Sequence, residues 1–189
     1  ATNLDKVYEV GIKFGVETDT GDITGKIISK KDPNRIDQVL NKQLKKLECV
    51  HFQMPPMYSA VKKNGKPLYY WARKGVYVYR DPRRIKIKSI KLLNCSEYSA
   101  TIEVACSKGT YIRTLVEQLG RSLGTFATVS SLRRLEVGSM KLTTNPCYLE
   151  DTKDNIVNTI LPCDALLTDI DKIALKPEDA KKVRNGLSI

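Results

Sequence analysis

The sequence predicts an α+β fold, a mixed and largely antiparallel sheet flanked by helices. Apolar residues alternate with period two over Val7–Phe14 and over Ala100–Cys106, the signature of half-buried strands. They recur at helical spacing in Ile36, Val39, Leu40, Leu44 and Leu47, and again in Ile112, Leu115, Val116, Leu119 and Leu123. The two patterns do not follow one another in the strand–helix–strand rhythm of a parallel sheet. A chain of 189 residues corresponds to one domain, or one domain and a piece of another. At that length a compact fold buries roughly 70% of the surface its unfolded chain exposes and needs no covalent staple.

In chain order, Tyr8, Val10, Ile12 and Phe14 form one face of a first strand, closed by the turn-rich Thr18-Asp19-Thr20-Gly21-Asp22. Asp32-Pro33-Asn34 opens the first helix. Pro55-Pro56 forbids a helix and imposes an extended segment. Lys63-Asn64-Gly65-Lys66 carries the Asn-Gly signal of a tight hairpin. Leu68–Lys74 reads as a short helix stopped by Gly75. Ile85, Ile87, Ile90 and Leu92 shift phase near Ser89, as in one long strand with an irregularity, and Asn94–Ser96 turns it into the strand at Ala100–Cys106. After the helix from Ile112, stopped by Gly124, Val129–Met140 reads as a single strand. A helix around Thr152–Ile160, a loop at Pro162, a short strand at Ile173–Leu175 and a helix from Pro177 to Gly186 complete the chain.

Composition removes several classes of function. Hydrophobic residues at 41% and charged residues at 28% describe a globular chain, and no stretch approaches the roughly 20 apolar residues of a membrane span. The five cysteines (Cys49, Cys95, Cys106, Cys147, Cys163) include no C-x-x-C pair. With a single histidine, His51, neither a metal site nor a disulfide framework is expected. Reduced thiols place the chain in the cytoplasm. His51 reads as a packing or surface residue, which disfavours hydrolase mechanisms that run through an imidazole.

The charge distribution points towards nucleic acid. The net charge is +11, with +13 on residues 1–147 and −2 on residues 148–189. Residues 61–91 hold eleven basic side chains against one acid, Asp81, and six of the thirteen aromatic residues fall within 58–79. Basic side chains neutralise phosphates, and interleaved aromatics offer faces to unstacked bases.

Several long segments, in order and at matching spacing from about residue 6 to 140, resemble one family. They are Lys6-Val7-Tyr8, Thr18-Asp19-Thr20-Gly21-Asp22, Gln53-Met54-Pro55-Pro56-Met57-Tyr58-Ser59-Ala60-Val61-Lys62, Gly65-Lys66-Pro67-Leu68-Tyr69, Ala72-Arg73-Lys74-Gly75, Cys106-Ser107-Lys108-Gly109-Thr110-Tyr111-Ile112-Arg113-Thr114-Leu115 and Leu132-Arg133-Arg134. Together they are similar to the tRNA pseudouridine synthase B family, and the intact stretch from Lys62 to Arg84 favours it over guide-RNA-dependent relatives. The resemblance implies isomerisation of uridine 55 in the tRNA T-loop by a monomeric enzyme without metal or cofactor. The uridine flips into a pocket, an aspartate attacks, and the uracil is rejoined through carbon.

The resemblance also implies roles. Tyr8 would stack on the target base, Tyr111 would pack beside the pocket, and Arg113 would pair with the catalytic carboxylate. Leu132 would be a pocket wall, a role hardly separable from a plain core leucine. Asp22 would join a supporting polar network, with turn-capping as the alternative. Residues 54–84 would form a thumb that grips the RNA loop, and Tyr58, Lys62, Lys63, Lys66, Tyr69, Arg73, Lys108, Arg133 and Arg134 would contact RNA. Residues 1–170 would be a partial catalytic domain and 171–189 the opening of a small RNA-binding PUA domain. The family's G-x-x-x-D-P-x-A-x-G segment, which carries the nucleophile, does not occur in the sequence. The chain therefore reads as the middle of a longer enzyme, incomplete at its N-terminus and inactive alone. A non-catalytic RNA-binding or RNA-folding module is the alternative.

If the 61–91 run contacts phosphates, neutralising Lys62, Lys63 and Lys66 together reduces the log–log salt dependence of T-arm RNA binding by about 0.7–0.9 for each phosphate left without its lysine. An unchanged slope in a titration across salt concentrations removes these lysines from the interface.

Overall fold

The computed structural model describes residues 3–34, 36–142, 160, 171 and 173–189. It divides into two compact units, Ala1–Thr144 and Asn145–Ile189. The first unit is built on a six-stranded sheet in the order β10-β9-β1-β8-β7-β4. Its strands are β1 (Lys6–Phe14), β4 (Val50–Gln53), β7 (Arg83–Cys95), β8 (Ser99–Cys106), β9 (Ala127–Val137) and β10 (Met140–Lys141). Every neighbouring pair in it is antiparallel, so the α+β class holds. Two small hairpin sheets flank it, β2 (Val16–Thr18) with β3 (Ile27–Lys30), and β5 (Lys62–Lys63) with β6 (Lys66–Pro67).

One face of the sheet is apolar because period-two alternation puts it there. Val10, Ile12 and Phe14 of β1, Ile85, Ile87 and Ile90 of β7, and Ala100, Ile102, Val104 and Cys106 of β8 are buried in a single core. Helix α1 (Ile36–Leu47) contributes Ile36, Leu40 and Leu44, and α3 (Ile112–Ser122) contributes Ile112, Leu115, Val116 and Leu119. Each buried Val, Leu, Ile or Phe among these gains roughly 1.5–3 kcal/mol from burial. Val39, part of the helical pattern, lies at the edge of the stripe and is 40% exposed.

Several local expectations hold. The phase change in β7 is a pair of register shifts against β8, between Ile87 and Ser89 and between Leu92 and Asn94. The Asn64-Gly65 turn has positive φ at both residues, 53° and 74°, as a two-residue hairpin turn of right-handed twist demands. Helix α2 (Leu68–Arg73) ends before Gly75 at φ 66°. In the second unit α4 (Pro177–Arg184) begins on its proline, and Gly186 follows it at φ 71°.

Other expectations need correction. Val129–Met140 is not one strand. Gly138, at φ 58°, breaks it into β9 and the two-residue β10. The first strand is not closed by Thr18–Asp22, because Gly15 (φ 87°) kinks the chain into β2 first. The turn after β7 lies at Ser96–Tyr98, since Asn94 and Cys95 still pair with Thr101 and Ala100. Ile173–Leu175 is not a strand. Strands β3 and β4 add to the expected elements, and each is too short to show a period. The helix expected around Thr152–Ile160 and the loop at Pro162 lie outside the described residues, apart from Ile160 itself.

The outer edge of β7 is closed in two ways. Over Arg83–Lys86 it pairs with β4. Beyond that, the Ile87 amide donates to the Cys49 carbonyl (3.0 Å) and the Ile90 amide to Glu48 Oε1 (2.7 Å). Within the basic run, Lys88 pairs with Asp5, and Lys91 with Glu103 at 3.1 Å. Among the described residues no helix is long and apolar enough to cross a membrane.

Helix α3 meets β9 at Gly120. A Cβ there would lie 2.5 Å from the Ala127 amide nitrogen, 2.7 Å from the Ala127 Cβ and 2.8 Å from the Phe126 carbonyl carbon. Main chain cannot step aside cheaply, so Gly120→Ala is expected to lose about 1–3 kcal/mol of stability, despite the better helix propensity of alanine. A urea melt of the variant beside the parent measures it.

Candidate nucleic-acid and uridine site

The first turn of α3 is where the segments of interest meet. Tyr111 is its N-cap residue, extended at φ −97° and ψ 106° and without a side-chain cap. The cap comes from elsewhere. Gln53, the last residue of β4 and only 1% exposed, accepts a hydrogen bond from the Tyr111 amide at 2.7 Å and donates one to the Tyr111 carbonyl at 3.1 Å. A buried amide side chain is costly unless paired, and here both of its ends are used.

Two residues on, Arg113 reaches back across the helix end. Its Nη1 donates to the Thr20 carbonyl (3.0 Å) and to Asp22 Oδ2 (3.2 Å), and its Nη2 donates to the Tyr58 carbonyl (2.7 Å). The fork of a guanidinium suits such divergent acceptors. Asp22 is enclosed in turn. Its Oδ1 accepts from the Thr24 hydroxyl (2.5 Å), the Thr20 hydroxyl (3.0 Å) and the Thr24 amide (3.1 Å). Burial alone would raise its pKa, but the hydrogen bonds from Thr24 and Thr20 and the Arg113 charge outweigh it and hold the carboxyl below the usual range. The loop carrying it is pinned to the sheet, with the Ile23 amide bonded to the Val129 carbonyl and the Val129 amide to the Gly21 carbonyl. Gly21, at φ 76°, lies so close to α3 that a Cβ would sit 2.5 Å from Glu117 Oε1. Burial and the Glu17 charge push the Glu117 carboxyl up, against Arg121 and Arg113.

Tyr8, Leu132 and Arg134 stand on the core face of the sheet, where the pairing places Tyr8 opposite Arg134 and Val10 opposite Leu132. Residues opposed across antiparallel strands share a face. Burial and the Cys106 sulfur raise the Tyr8 hydroxyl pKa, while Arg134 lowers it. Leu132 is no core leucine. It is 49% exposed although its partner Val10 is fully buried, so the apolar face opens to solvent at this end of β9. Arg133, on the other face, is exposed.

The segment after Gln53 holds the expected hairpin and α2. Lys66 and Lys74 lie 4.5 and 4.6 Å from the centre of the Tyr70 ring, Arg73 lies over Tyr69 and Arg80 over Tyr77. Its cations and rings are thus already stacked on one another. A cavity of about 80 Å³ at the base of this segment is rimmed by Lys62, Lys63, Arg80 and Arg83. Lys62, Lys66, Tyr69 and Arg73 are exposed, whereas Tyr58 is half-buried and contributes its carbonyl to Arg113. Lys108 is engaged by Asn3 at 2.9 Å. His51 is half-buried, bonded to the Leu47 carbonyl at 2.7 Å and 3.3 Å from the Cys49 sulfur. Among the described residues no group of three or more His, Cys, Asp or Glu side chains is placed to hold a metal.

The sequence matches the TruB family pseudouridylate synthase N-terminal domain over residues 1–112 and the tRNA pseudouridylate synthase B C-terminal domain over 113–168. The chain belongs to the TruB pseudouridylate synthase family. It is 46% identical over 143 residues to tRNA pseudouridine synthase B of Bordetella avium, covering 74% of this chain and 59% of that one. It is 38% identical over 191 residues to the Dechloromonas aromatica enzyme of the same name, covering 97% and 62%. The chain thus spans about three-fifths of the length of these relatives. A crystal structure of a Cbf5-Nop10-Gar1 complex contains a chain that matches with a TM-score of 0.52 and 25% identity, over 74% of this chain and 32% of that one. The boundary between the two TruB segments, 112/113, falls inside the first turn of α3, between the residue that Gln53 caps and Arg113.

Of the residues named from sequence, Asp22, Tyr58, Tyr111 and Arg113 converge on this turn. Sequence reasoning misses Gln53, Thr20, Thr24 and Glu117. Gln53 precedes Met54-Pro55-Pro56, but Val50-His51-Phe52 is too short and too mixed for its buried amide to be read from the sequence. The threonines flank Asp22 at two residues on either side, a spacing suited to turn hydrogen bonds.

Because the folded state lowers the pKa of Asp22, this residue adds stability above its ordinary value near 3.8 and loses that contribution as pH falls through the lower folded-state value. Asp22→Asn is therefore expected to be destabilised by roughly 1–3 kcal/mol near neutral pH, with the gap closing as pH falls below that ordinary value. Urea midpoints across this range test it. A gap that does not change with pH across the acid range contradicts the assignment.

Proposed function

We propose that this chain forms the uridine-recognition part of a tRNA pseudouridine synthase that converts uridine 55 of the T-loop to pseudouridine. The observation that carries the reading is the Arg113 junction. It joins three separate family segments, around Asp22, Tyr58 and Tyr111, at the N-terminal end of α3, an end whose dipole favours developing negative charge. In this reading the uridine leaves the loop and stacks on Tyr8, with Leu132 as an apolar wall and Tyr111 beside it. The bond between N1 and C1′ breaks, the bond between C5 and C1′ forms, the proton on C5 is released to solvent, and N1 takes up a proton. Residues 54–84 grip the T-loop through Lys62, Lys63, Lys66, Tyr69 and Arg73, while Lys108, Arg133 and Arg134 complete the RNA surface. Residues 1–170 belong to the catalytic domain and 171–189 to a PUA-like RNA-binding module, in a monomer acting in the cytoplasm.

The attacking carboxylate in this reading is supplied from outside these 189 residues. The sequence holds no D-P-x-A-x-G stretch. Asp22 already accepts four hydrogen bonds, and Asp19 Oδ1 accepts the Lys26 amide at 2.8 Å. The same observation favours a second reading for the chain alone, an RNA-binding or RNA-folding module without catalysis.

Incubation with T-arm RNA tritiated at C5 of uracil separates the two. The chain alone is expected to release no tritium while still binding the RNA, and release is expected when the aspartate segment is added as an N-terminal fusion. Release by the bare chain at the rate of the completed protein would mean that Asp19 or Asp22 is the nucleophile. No release from the fusion leaves the module.

A further inference from the structure

Gln53 makes a contact that the uridine chemistry does not itself use. Its side chain is buried to within 1% of full burial, and both of its hydrogen bonds go to the main chain of one residue, Tyr111, 58 positions away. The Tyr111 carbonyl also accepts the first bond of α3, from the Leu115 amide at 3.1 Å. Gln53 therefore holds the residue from which the helix starts and from which the Tyr111 side chain projects. On its other side, Gln53 is followed at once by Met54-Pro55-Pro56-Met57-Tyr58, the root of the basic, aromatic segment. That root is tied to α3 a second time, through the Tyr58 carbonyl and Arg113. It is also tied to the far end of the segment, where Arg80 Nη1 donates to the Pro55 carbonyl at 3.1 Å. The two consecutive prolines between the ties have fixed φ and little freedom to absorb movement. A displacement of the segment is thus passed to the start of α3 rather than dissipated in a loose linker.

We propose that Gln53 is a positioning residue that couples the RNA-gripping segment to the uridine pocket by fixing the main chain of Tyr111. The turnover readout rests on the pseudouridine synthase reading, whereas the exchange readout does not. Gln53→Met keeps the length and burial of the side chain but leaves the Tyr111 amide without its acceptor. In Gln53→Glu the protonated acid reproduces both bonds of the amide, whereas the carboxylate cannot donate to the Tyr111 carbonyl.

The test measures three quantities in the protein completed with the aspartate segment: amide hydrogen exchange, T-arm RNA binding and single-turnover tritium release. For Gln53→Met, exchange at the Tyr111 amide should rise about tenfold, the size expected on removing one hydrogen bond. The Leu119 amide, within α3, should be unaffected, and RNA affinity should stay within about twofold. Turnover should fall by roughly 10- to 100-fold, as for a misplaced pocket group. For Gln53→Glu, turnover relative to the parent should be low at alkaline pH and recover as pH falls, with exchange at the Leu119 amide unchanged across the same range, which a pH-dependent loss of fold would not give. Normal turnover alongside diminished Tyr111 protection overturns the proposal. So does an equal fall in binding and turnover, or a Gln53→Glu profile parallel to the parent's. Should Gln53→Met fail to fold, the Gln53→Glu profile decides alone. Should the parent itself show no turnover, the functional reading fails, and Tyr111 exchange with and without T-arm RNA still decides the coupling. Protection that rises on RNA binding in the parent but not in Gln53→Glu supports it, and equal behaviour sinks it.

Discussion

The structure around the site depends on how one helix end is finished. The first turn of any α-helix leaves amide groups without internal partners, and α3 begins on a tyrosine that cannot cap it. Gln53 supplies the missing partner from a neighbouring strand, and Arg113 turns the same helix end into an anchor for two loops. Both interactions are long-range in sequence and short in space. They convert the end of a strand, a turn and the start of an excursion into one junction. It also joins the Thr20–Asp22 loop, which the sheet holds at Val129, to the root of the basic segment, which Arg80 holds at Pro55.

Most of the fold is legible in the sequence, because sheet and helix periods are strong signals when one face is buried. Val10, Ile12 and Phe14 show it, as do Leu115, Val116 and Leu119. What escapes is short or dependent on a partner. Strand β4 has four residues, one of them a buried glutamine, and no pattern can announce it. The break between β9 and β10 rests on the backbone freedom of Gly138, and a single glycine inside an apparent strand gives little sign of it. Leu132 reads as a wall or a core residue. Only the three-dimensional sheet shows that the cover over Val10 stops before it reaches Leu132.

The site is legible in a different way. Family motifs name Asp22, Tyr58, Tyr111 and Arg113, yet the physics that binds them lies between motifs. The hydrogen bonds from Arg113 to two main-chain carbonyls leave no trace in residue identity at Thr20 or Tyr58. Charge arithmetic is a coarser guide. It flags the run over 61–91, but Lys88 and Lys91 prove to be paired with acids on the sheet, whereas Lys66, Lys74, Arg73 and Arg80 lie against tyrosine rings.

The finish of the β7 edge bears on how the molecule behaves in a crowd. A strand of thirteen residues covered by a partner of only four would offer a template on which other chains could add strands. Here the next two donors are already spent on Cys49 and Glu48, and Lys88 and Lys91 place charge along the same stretch. At the opposite margin β10 pairs only with Glu136 and Val137 of β9, and the Gly21–Ile23 turn bonds to Val129. The β7 border is therefore a poor seed for sheet-to-sheet growth, since a strand added there would first have to displace the Cys49 carbonyl and the Glu48 carboxylate.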